Sequence, residues 1–255
     1  MEGMSKPEWE LRHNAIIYRY GCGAVDYIVS DKMDFMESGW ERTIENAPTP
    51  REKGKVAEGA DLERSMRRAR AKLRRIALAN DFDWFVTLTL DPAKIDREDG
   101  KAVAKALSTW ADNMVRRKGL RYVLVPELHK KGGIHFHGFF AANDLTAQPS
   151  GHYDRNGHPI FNLPQWTLGF STAIRLYGDY PQAVGYVSKY IGKQRVRPMG
   201  RWYYSGGSLR EPEKIYADLD WDILVEEYCG KAVEIEVPGR KLLVVHDNGG
   251  NCNDL

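Results

Sequence analysis

Two histidines separated by one residue, His135 and His137, could do chemistry together. In a β-strand, residues i and i+2 point to the same face about 6–7 Å apart, so two imidazoles could converge on one divalent ion. Phe136, between them, would point to the opposite face and into a core. Two surface histidines on a half-exposed strand have the same spacing, so the pair alone does not establish a metal site.

A carboxylate that could complete such a site belongs to Glu127, just before a predicted hairpin. A hairpin loop of three or five residues centred on Lys131 would place Glu127 opposite His135, giving two imidazoles and one carboxylate with open coordination positions. A two-residue turn would instead place it opposite Phe136, on the wrong face. His129 is the alternative third ligand, and Glu127 could also be an ordinary surface acid at the end of a strand.

Two tyrosines and two lysines occur together in the segment GYVSKYIGK, residues 185–193. Tyr186 and Tyr190 form an i, i+4 pair on a predicted helix, and Lys189 and Lys193 extend the same flank. A separate apolar stripe of this helix is expected to face the core. Aromatic packing at the edge of the core is the alternative role, more so for Tyr190, which lies nearer to that stripe.

A tyrosine hydroxyl close to a metal ion could act on a phosphodiester. The hydroxyl is a poor nucleophile at neutral pH, because its pKa is near 10, and it needs an activated electrophile or a base. A divalent ion polarises a phosphate oxygen, and a nearby lysine stabilises the phosphate or lowers the pKa of the phenol. Together these side chains predict transesterification of a phosphodiester.

Basic residues are clustered along the chain, although the formal net charge is only +2. Residues 61–79, 116–131 and 175–201 each carry a net charge of +5, whereas residues 211–236 carry −7. One such cluster could be a solvated helix face. Three clusters flanking the candidate chemistry favour a polyanion as the partner.

We expect contacts to DNA phosphates from the basic helix and from the residues that follow the tyrosine helix. These are Arg64, Arg67, Arg68, Arg70, Lys72, Arg74, Arg75, Lys193, Arg195, Arg197 and Arg201. Trp202 and the two tyrosines after it could stack on unpaired bases or could belong to a core strand. Affinity for DNA is expected to fall log-linearly with salt concentration.

Hydrophobic periodicity predicts the elements that position these residues. In order, they are a helix over 62–79, a strand over 84–90, a helix over 101–117, strands over 121–128 and 134–140, a long loop over 143–165, a strand over 167–177, and a helix from Pro181 to about Lys193 capped by Asp179. A strand over 201–205 and a terminal hairpin formed by AVEIEV and KLLVVHD could follow. The order predicts an α+β fold with a mainly antiparallel sheet.

Composition sets the broad class of the protein. Its 255 residues are 42% hydrophobic and 28% charged, which is typical of a globular protein. The sequence contains no apolar run long enough to span a bilayer, no secretory signal and no C-x-x-C pair among three cysteines. We therefore expect a cytoplasmic protein without a disulfide framework. The predicted segments are an extension and linker over 1–60, a central domain over 61–205, and an acidic segment over 206–255.

Three motifs resemble those of the HUH endonucleases, named for a His–hydrophobic–His pair. They are FVTLTLDP (85–92), PELHKKGGIHFHGFF (126–140) and GYVSKYIGK (185–193). The resemblance is greatest to the rolling-circle replication initiators of phages and plasmids that carry Y-x-x-K-Y. It covers under half of the chain, and the histidine motif precedes the tyrosine motif, whereas conjugative relaxases generally have the opposite order.

The resemblance implies roles for individual residues. His135 and His137 would be metal ligands, with Glu127 as candidate third ligand. Tyr186 would be the main nucleophile and Tyr190 the second, and the motif lysine would be Lys189. The family fold is a ferredoxin- or RRM-like antiparallel sheet with flanking helices, and its usual ion is Mg²⁺ or Mn²⁺. The donor set alone does not exclude zinc.

The implied reaction is nicking and rejoining of single-stranded origin DNA through a 5′-phosphotyrosine on Tyr186. The sequence has no G-x-x-x-x-G-K-[ST] motif, so the resemblance implies a separate helicase and host replication proteins as partners, in the cytoplasm of a bacterial host. Three other functions stay open: an HUH transposase, a non-catalytic RRM-like nucleic-acid-binding protein, and a metal-dependent hydrolase that uses activated water.

Overall fold

The computed structural model of the chain describes residues 12–36, 59–129, 132–176, 178, 180–193, 195–237 and 239–248. The chain divides into two compact units. One is Ala57–Glu211, called the central unit below, and the other combines Met1–Val56 with Pro212–Leu255 and is called the flanking unit.

The described elements follow one another along the chain from the flanking unit through the central unit and back. They are β1 (Arg12–His13), β2 (Ala15–Arg19), β3 (Val25–Ser30), β4 (Phe35–Met36), α1 (Gly59–Ala79), β5 (Trp84–Leu90), α2 (Gly100–Lys118), β6 (Arg121–Leu128), β7 (Ile134–Ala141), β8 (Gln148–Tyr153), β9 (Pro159–Asn162), β10 (Gly169–Arg175), α3 (Tyr180–Ser188), β11 (Tyr204–Gly206), β12 (Glu213–Ala217), α4 (Trp221–Glu227), β13 (Ala232–Val237) and β14 (Arg240–Asp247).

The central unit is built on a sheet with the strand order β11-β6-β7-β5-β10-β9-β8. Its neighbouring strands pair in antiparallel fashion. Together with the helices, this sheet confirms the predicted α+β fold. The ferredoxin- or RRM-like description of the fold stays a prediction.

Strand β5 shows why one face of the central sheet forms a core. Val86, Leu88 and Leu90 are buried, whereas the alternate residues Thr87 and Thr89 are only partly covered, as the predicted alternation requires. The buried side chains pack with the apolar stripe of α2 in one hydrophobic cluster. The chemistry-bearing residues are therefore on the sheet face opposite α2.

Helix α2 has defined ends, because Asp99 caps its first turn and Gly119 ends it. The Asp99 carboxylate accepts hydrogen bonds from the backbone N–H groups of Lys101 and Ala102. Gly119 has a φ of 61°, a left-handed conformation that glycine adopts without a steric cost. These ends fix the helix beneath β5 and β6.

Helices α1 and α3 belong to the other face of the central sheet. The Phe139 ring, buried on that face, contacts the rings of Phe82, Phe85 and Tyr180. The Tyr180 hydroxyl, at the start of α3, donates to the backbone carbonyl of Ala77 near the end of α1 at 2.8 Å. These contacts anchor α3 above the strands that carry the histidines.

Three predictions about the central unit differ from the structure. Residues 143–165 are not one long loop, since they contain the β8–β9 pair, which their Gly, Pro and Asn content concealed. Helix α3 ends at Ser188, and the backbone N–H groups of residues 189–191 bond three residues back rather than four. The strand predicted at 201–205 is shorter and lies at Tyr204–Gly206. Asp179, the predicted cap, lies outside the described residues.

The flanking unit is assembled from both ends of the chain. Its sheet has the order β12-β2-β3-β14-β13, so strands from before and after the central unit pair with each other, for example Ala15 with Ala217. The predicted terminal hairpin is present, since β13 pairs with β14. The compact units thus differ from the three consecutive segments predicted, because pairing across some two hundred residues leaves no local pattern. Among the described helices, none has the length and apolar character to cross a membrane.

Candidate functional site

The two motif histidines are adjacent on one face of β7. His135 and His137 are partly exposed, whereas Phe136 between them is fully buried in the core, as predicted. In the β6–β7 ladder Glu127 lies directly opposite His135, and Leu128 opposite Ile134. The loop between the strands is therefore the five-residue one, and the carboxylate is on the histidine face.

Two threonines of β5 orient the imidazoles. Thr87 lies opposite His137 and Thr89 opposite His135 in the β5–β7 ladder. The Thr87 Oγ1 is 3.2 Å from His137 Nδ1, and the Thr89 Oγ1 is 3.1 Å from His135 Nδ1. Because a hydroxyl can donate or accept, either protonation of Nδ1 is satisfied. Both Nδ1 atoms are engaged in the same way, which leaves the Nε2 atoms for other partners.

The carboxylate of Glu127 joins the strand to the segment after α3. One oxygen, Oε2, is 2.9 Å from His137 Nε2, and the other, Oε1, accepts a hydrogen bond from Lys193 Nζ at 2.6 Å. The side chains of Glu127 and His137 are 15% and 13% exposed, whereas that of Lys193 is 59% exposed. A half-buried carboxylate is thus shared by an imidazole and a cation.

Both motif tyrosines lie on the histidine face. The Tyr190 ring is stacked on the His137 imidazole, with 4.0 Å between centroids and 11° between planes. The Tyr186 ring packs edge-on against Phe85, and its hydroxyl is 2.7 Å from that of Tyr190. Tyr186 is 50% exposed, so its hydroxyl group is on a surface that a substrate can reach.

Burial and hydrogen bonding shift several pKa values at this cluster. Burial lowers the pKa of both His135 and His137 below 6.5, so both imidazoles are neutral at pH 7, the form that binds a metal ion. Burial, and next the hydrogen bond with Tyr186, raise the pKa of Tyr190. The hydrogen bond to Glu127 raises the pKa of Lys193.

The donor types suit a divalent ion, although the side chains do not converge as a formed site. Within residues that the structure describes, no group of three or more His, Cys, Asp or Glu side chains has the geometry to hold a metal ion. Two imidazoles and a carboxylate nevertheless match a three-ligand site with open positions. The Lys193 ammonium already lies at the carboxylate, which shows that this position accepts a cation.

The remaining residues predicted for this site are placed differently. Lys189 is exposed, and the lysine that contacts the cluster is Lys193, because α3 ends before either residue and the chain turns tightly. The predicted common helical flank therefore does not exist beyond Ser188. The His129 ring is 5.0 Å from that of His135, on the same side of the hairpin as Glu127.

The predicted DNA-contacting residues fall into exposed and buried groups. Arg67, Arg68 and Lys72 are exposed on α1. Arg74 and Trp202 are each only 9% exposed, so neither side chain is presented to a ligand in this structure. The Trp202 Nε1 donates to Ser65 Oγ at 2.9 Å, which fixes the ring against α1.

The other predicted arginines make intramolecular contacts. Arg70 donates to the Ile191 carbonyl at 2.8 Å, and Arg195 forms an ion pair with Glu63. Arg197 lies over the Trp202 ring. The remaining contacts are Arg64 with Asp61, Lys72 with Glu211, and Arg201 over the Tyr204 ring, while Arg75 is half-buried. Most of these partners lie in α1 and in the segment after α3, so the basic clusters also hold these two segments together.

Sequence reasoning missed Thr87 and Thr89 as site residues. It placed both on the strand face away from the core, but it could not show that β5 pairs with β7 in this register. Arg97 was also missed; its charge is close enough to lower the pKa of His135, after burial and His129. No pattern in the sequence identifies this arginine.

The comparisons with known proteins concern the segment that contains this cluster. Residues 83–195 match a family model described as replication-associated protein ORF2. The match supports a Rep-like, replication-associated protein. It includes β5, β6, β7 and α3, and so every residue of the cluster described above, but it spans less than half of the chain. Comparison with curated proteins and with solved structures gives no match.

Proposed function

We propose that this protein is a rolling-circle replication initiator that cuts and rejoins single-stranded DNA through a tyrosine adduct. One observation supports the proposal above all. Two histidines, a carboxylate, a lysine and two tyrosines meet on one face of the sheet, inside the segment that matches a replication-associated family. A purely structural role would not require a paired tyrosine hydroxyl on an exposed surface.

His135, His137 and Glu127 are the residues that would hold Mg²⁺ or Mn²⁺, with His129 as the alternative third ligand. When bound, such an ion polarises a phosphate oxygen and disperses the charge that develops on it. The threonines opposite the histidines hold the imidazole rings by their Nδ1 atoms. Lys193, released from Glu127, is close enough to bind the negatively charged phosphate.

The covalent step uses the Tyr186 hydroxyl as nucleophile. Its oxygen forms a bond to the phosphorus, the bond from phosphorus to the 3′ oxygen breaks, and a 5′-phosphotyrosine and a free 3′-OH result. The phenol proton passes to water, and the leaving 3′ oxygen takes up a proton. The adduct keeps a phosphodiester bond, so attack by a 3′-OH reverses the reaction and rejoins the strand.

Tyr190 assists before it reacts. Because its pKa is raised, Tyr190 keeps its proton and can donate a hydrogen bond to the Tyr186 oxygen as that oxygen becomes negative. This order of acidity favours Tyr186 as the first nucleophile. Tyr190 then serves as the second nucleophile, after Tyr186 has become occupied by the strand.

The charge of the central unit suits a DNA substrate. Residues 57–211 contain 25 Lys and Arg against 15 Asp and Glu, a net charge of +10, while the rest of the chain carries −8. A basic unit attracts single-stranded DNA, and its affinity should fall steeply with salt. Unwinding and synthesis would be supplied by a separate helicase and by host replication proteins.

A denaturing gel tests the proposal. Protein, Mn²⁺ and single-stranded oligonucleotides should give a covalent adduct that is absent in Tyr186→Phe and present in Tyr153→Phe, an exposed tyrosine on β8. His135→Ala and His137→Ala should lose cleavage but keep DNA binding. Cleavage without an adduct would indicate activated water, and binding without cleavage would indicate an RRM-like binding protein. Cutting at transposon ends instead of an origin would identify the protein as a transposase.

A further inference from the structure

Strand β10 carries an exposed aromatic ring that the proposed reaction does not use. Phe170 is 68% exposed, although the next residue, Ser171, is 8% exposed and Ala173 is fully buried. The exposure therefore belongs to one face of a well-packed strand and not to a loose end. Leaving a phenylalanine ring in water forgoes about 1.5–3 kcal/mol of burial free energy, so the ring is a candidate contact for a ligand.

Strand pairing places this ring in line with the candidate site. Across the sheet, Glu127 pairs with His135, His135 with Thr89, and Thr89 with Phe170. Residues paired in this way are on the same face of an antiparallel sheet. Phe170 is two strands from His135, which corresponds to about 10 Å. A nucleotide whose phosphate lies at the histidines can therefore reach the ring with its own base or with a neighbouring one.

The backbone beneath the ring is held tightly against β5. A Cβ atom at Gly169 would lie 2.1 Å from the Thr89 carbonyl oxygen and 2.6 Å from the Asp91 nitrogen, closer than any side chain permits. Glycine thus lets β10 approach β5 at the point where the register places Phe170 beside Thr89. The position of Phe170 relative to the histidines is fixed by this close approach.

The surroundings of the ring favour a nucleobase over a protein partner. Its same-face neighbour along β10 is the exposed Thr172, and its partner across the ladder is Thr89. A single ring among polar side chains lacks the contiguous apolar surface of a protein-docking site. A ring beside a polar, basic groove is typical of single-stranded nucleic-acid binding, where bases stack on aromatic side chains irrespective of sequence.

We propose that Phe170 is a stacking platform for a base that flanks the scissile phosphate of single-stranded DNA. The proposal rests on the proposed function for the identity of that phosphate. Stacking would hold the strand across the sheet so that the phosphate reaches the histidines and Tyr186. Phe170 is a positioning residue here, because it contacts the DNA but not the reacting atoms.

Binding without catalysis tests the platform. The full chain, without metal, is titrated with a 20-nucleotide single-stranded oligonucleotide carrying 2-aminopurine, whose fluorescence falls when it stacks. Phe170→Ala should weaken binding about 5- to 150-fold, the value of one stacked base, and should reduce the quenching. Phe170→Trp should retain both. Tyr153→Ala removes a ring of 69% exposure on β8 and should leave both unchanged.

Several results would overturn the platform. Binding by Phe170→Ala within twofold of wild type, or an equal loss in Tyr153→Ala, would show that the ring does not contact DNA. Dimerisation that Phe170→Ala abolishes in sedimentation experiments would assign the ring to a protein interface.

Adduct formation, measured separately on the gel, distinguishes this inference from the proposed function. An adduct with unchanged DNA binding in Phe170→Ala removes the platform alone. Binding that depends on Phe170 without any Tyr186 adduct removes the proposed function and, with it, the placement beside a scissile phosphate.

Discussion

The Tyr190 ring lies parallel to the His137 imidazole at 4.0 Å, so the second motif tyrosine rests on a proposed metal ligand. The first motif tyrosine has no such contact with a histidine among the contacts described for it, and its ring packs on Phe85 instead. The two tyrosines therefore occupy unequal positions although their hydroxyl groups meet. Unequal positions imply unequal roles in the first cleavage.

Replacing Tyr190 by Phe should slow the first cleavage without abolishing it. The ring stack on His137 is kept, but the hydrogen bond to the Tyr186 oxygen is lost. Single-turnover adduct formation should fall about tenfold or more, the contribution of one hydrogen bond to a developing charge. Transfer to a second site should disappear. An unchanged first cleavage, or full transfer in this variant, would make Tyr190 a packing residue only.

Removing the threonine hydroxyls should weaken metal binding. In Thr87→Val and Thr89→Val the imidazoles lose the partners of their Nδ1 atoms, and affinity for Mn²⁺, measured by calorimetry, should fall about 10- to 100-fold. Thr→Ser at either position should restore most of it. Thr172→Val is the control, since this exposed residue pairs with Thr87 on the neighbouring strand. Equal effects in the control would show that the loss comes from the sheet and not from the histidines.

Lys193 should compete with a metal ion for Glu127. Lys193→Gln removes the ammonium that is 2.6 Å from the carboxylate, and affinity for Mn²⁺ should rise about two- to fivefold, as expected for a largely exposed ion pair. Lys189→Gln, at an exposed position outside the cluster, should have no effect on metal affinity. DNA cleavage should nevertheless fall in Lys193→Gln, since the lysine is also proposed to bind phosphate. The reverse pattern between the two lysines would restore Lys189 as the motif lysine.

Stability should decrease as the pH falls below 6.5. Burial lowers the pKa of His137 and His135 in the folded protein, so the unfolded chain takes up protons first. Stability is therefore complete above the unfolded pKa and is lost as the pH falls through the folded one. The melting temperature of the metal-free protein, measured between pH 8 and 5, should fall less in His137→Gln than in wild type. Parallel curves would show that the imidazole is not desolvated.

Local sequence patterns predict most of the elements that carry the site. The alternation of β5 and the apolar repeat of α2 appear at nearly the expected bounds, since each element buries one face on a single core. The ladder opposite His135 could not be predicted, because it depends on the loop length between β6 and β7. The end of α3 was also missed, because residues 189–193 have helical composition but turn tightly after Ser188.

The flanking sheet and the β8–β9 pair were not predicted for a different reason. Ala15 and Ala217 are paired strand residues, yet nothing within ten residues of either indicates the other. In β8 and β9, glycine and proline suggested a loop although backbone pairing forms there. Long-range pairing and turn-rich strands are thus the parts of this fold that local periodicity does not reveal.

Because β2 and β3 pair with β12 and β14, the central unit is an insertion within another folding unit. Truncation at one terminus alone would leave apolar edge strands without their hydrogen-bonding partners and would promote aggregation. A soluble fragment for crystallisation should accordingly be trimmed at both ends together, near residues 57 and 211.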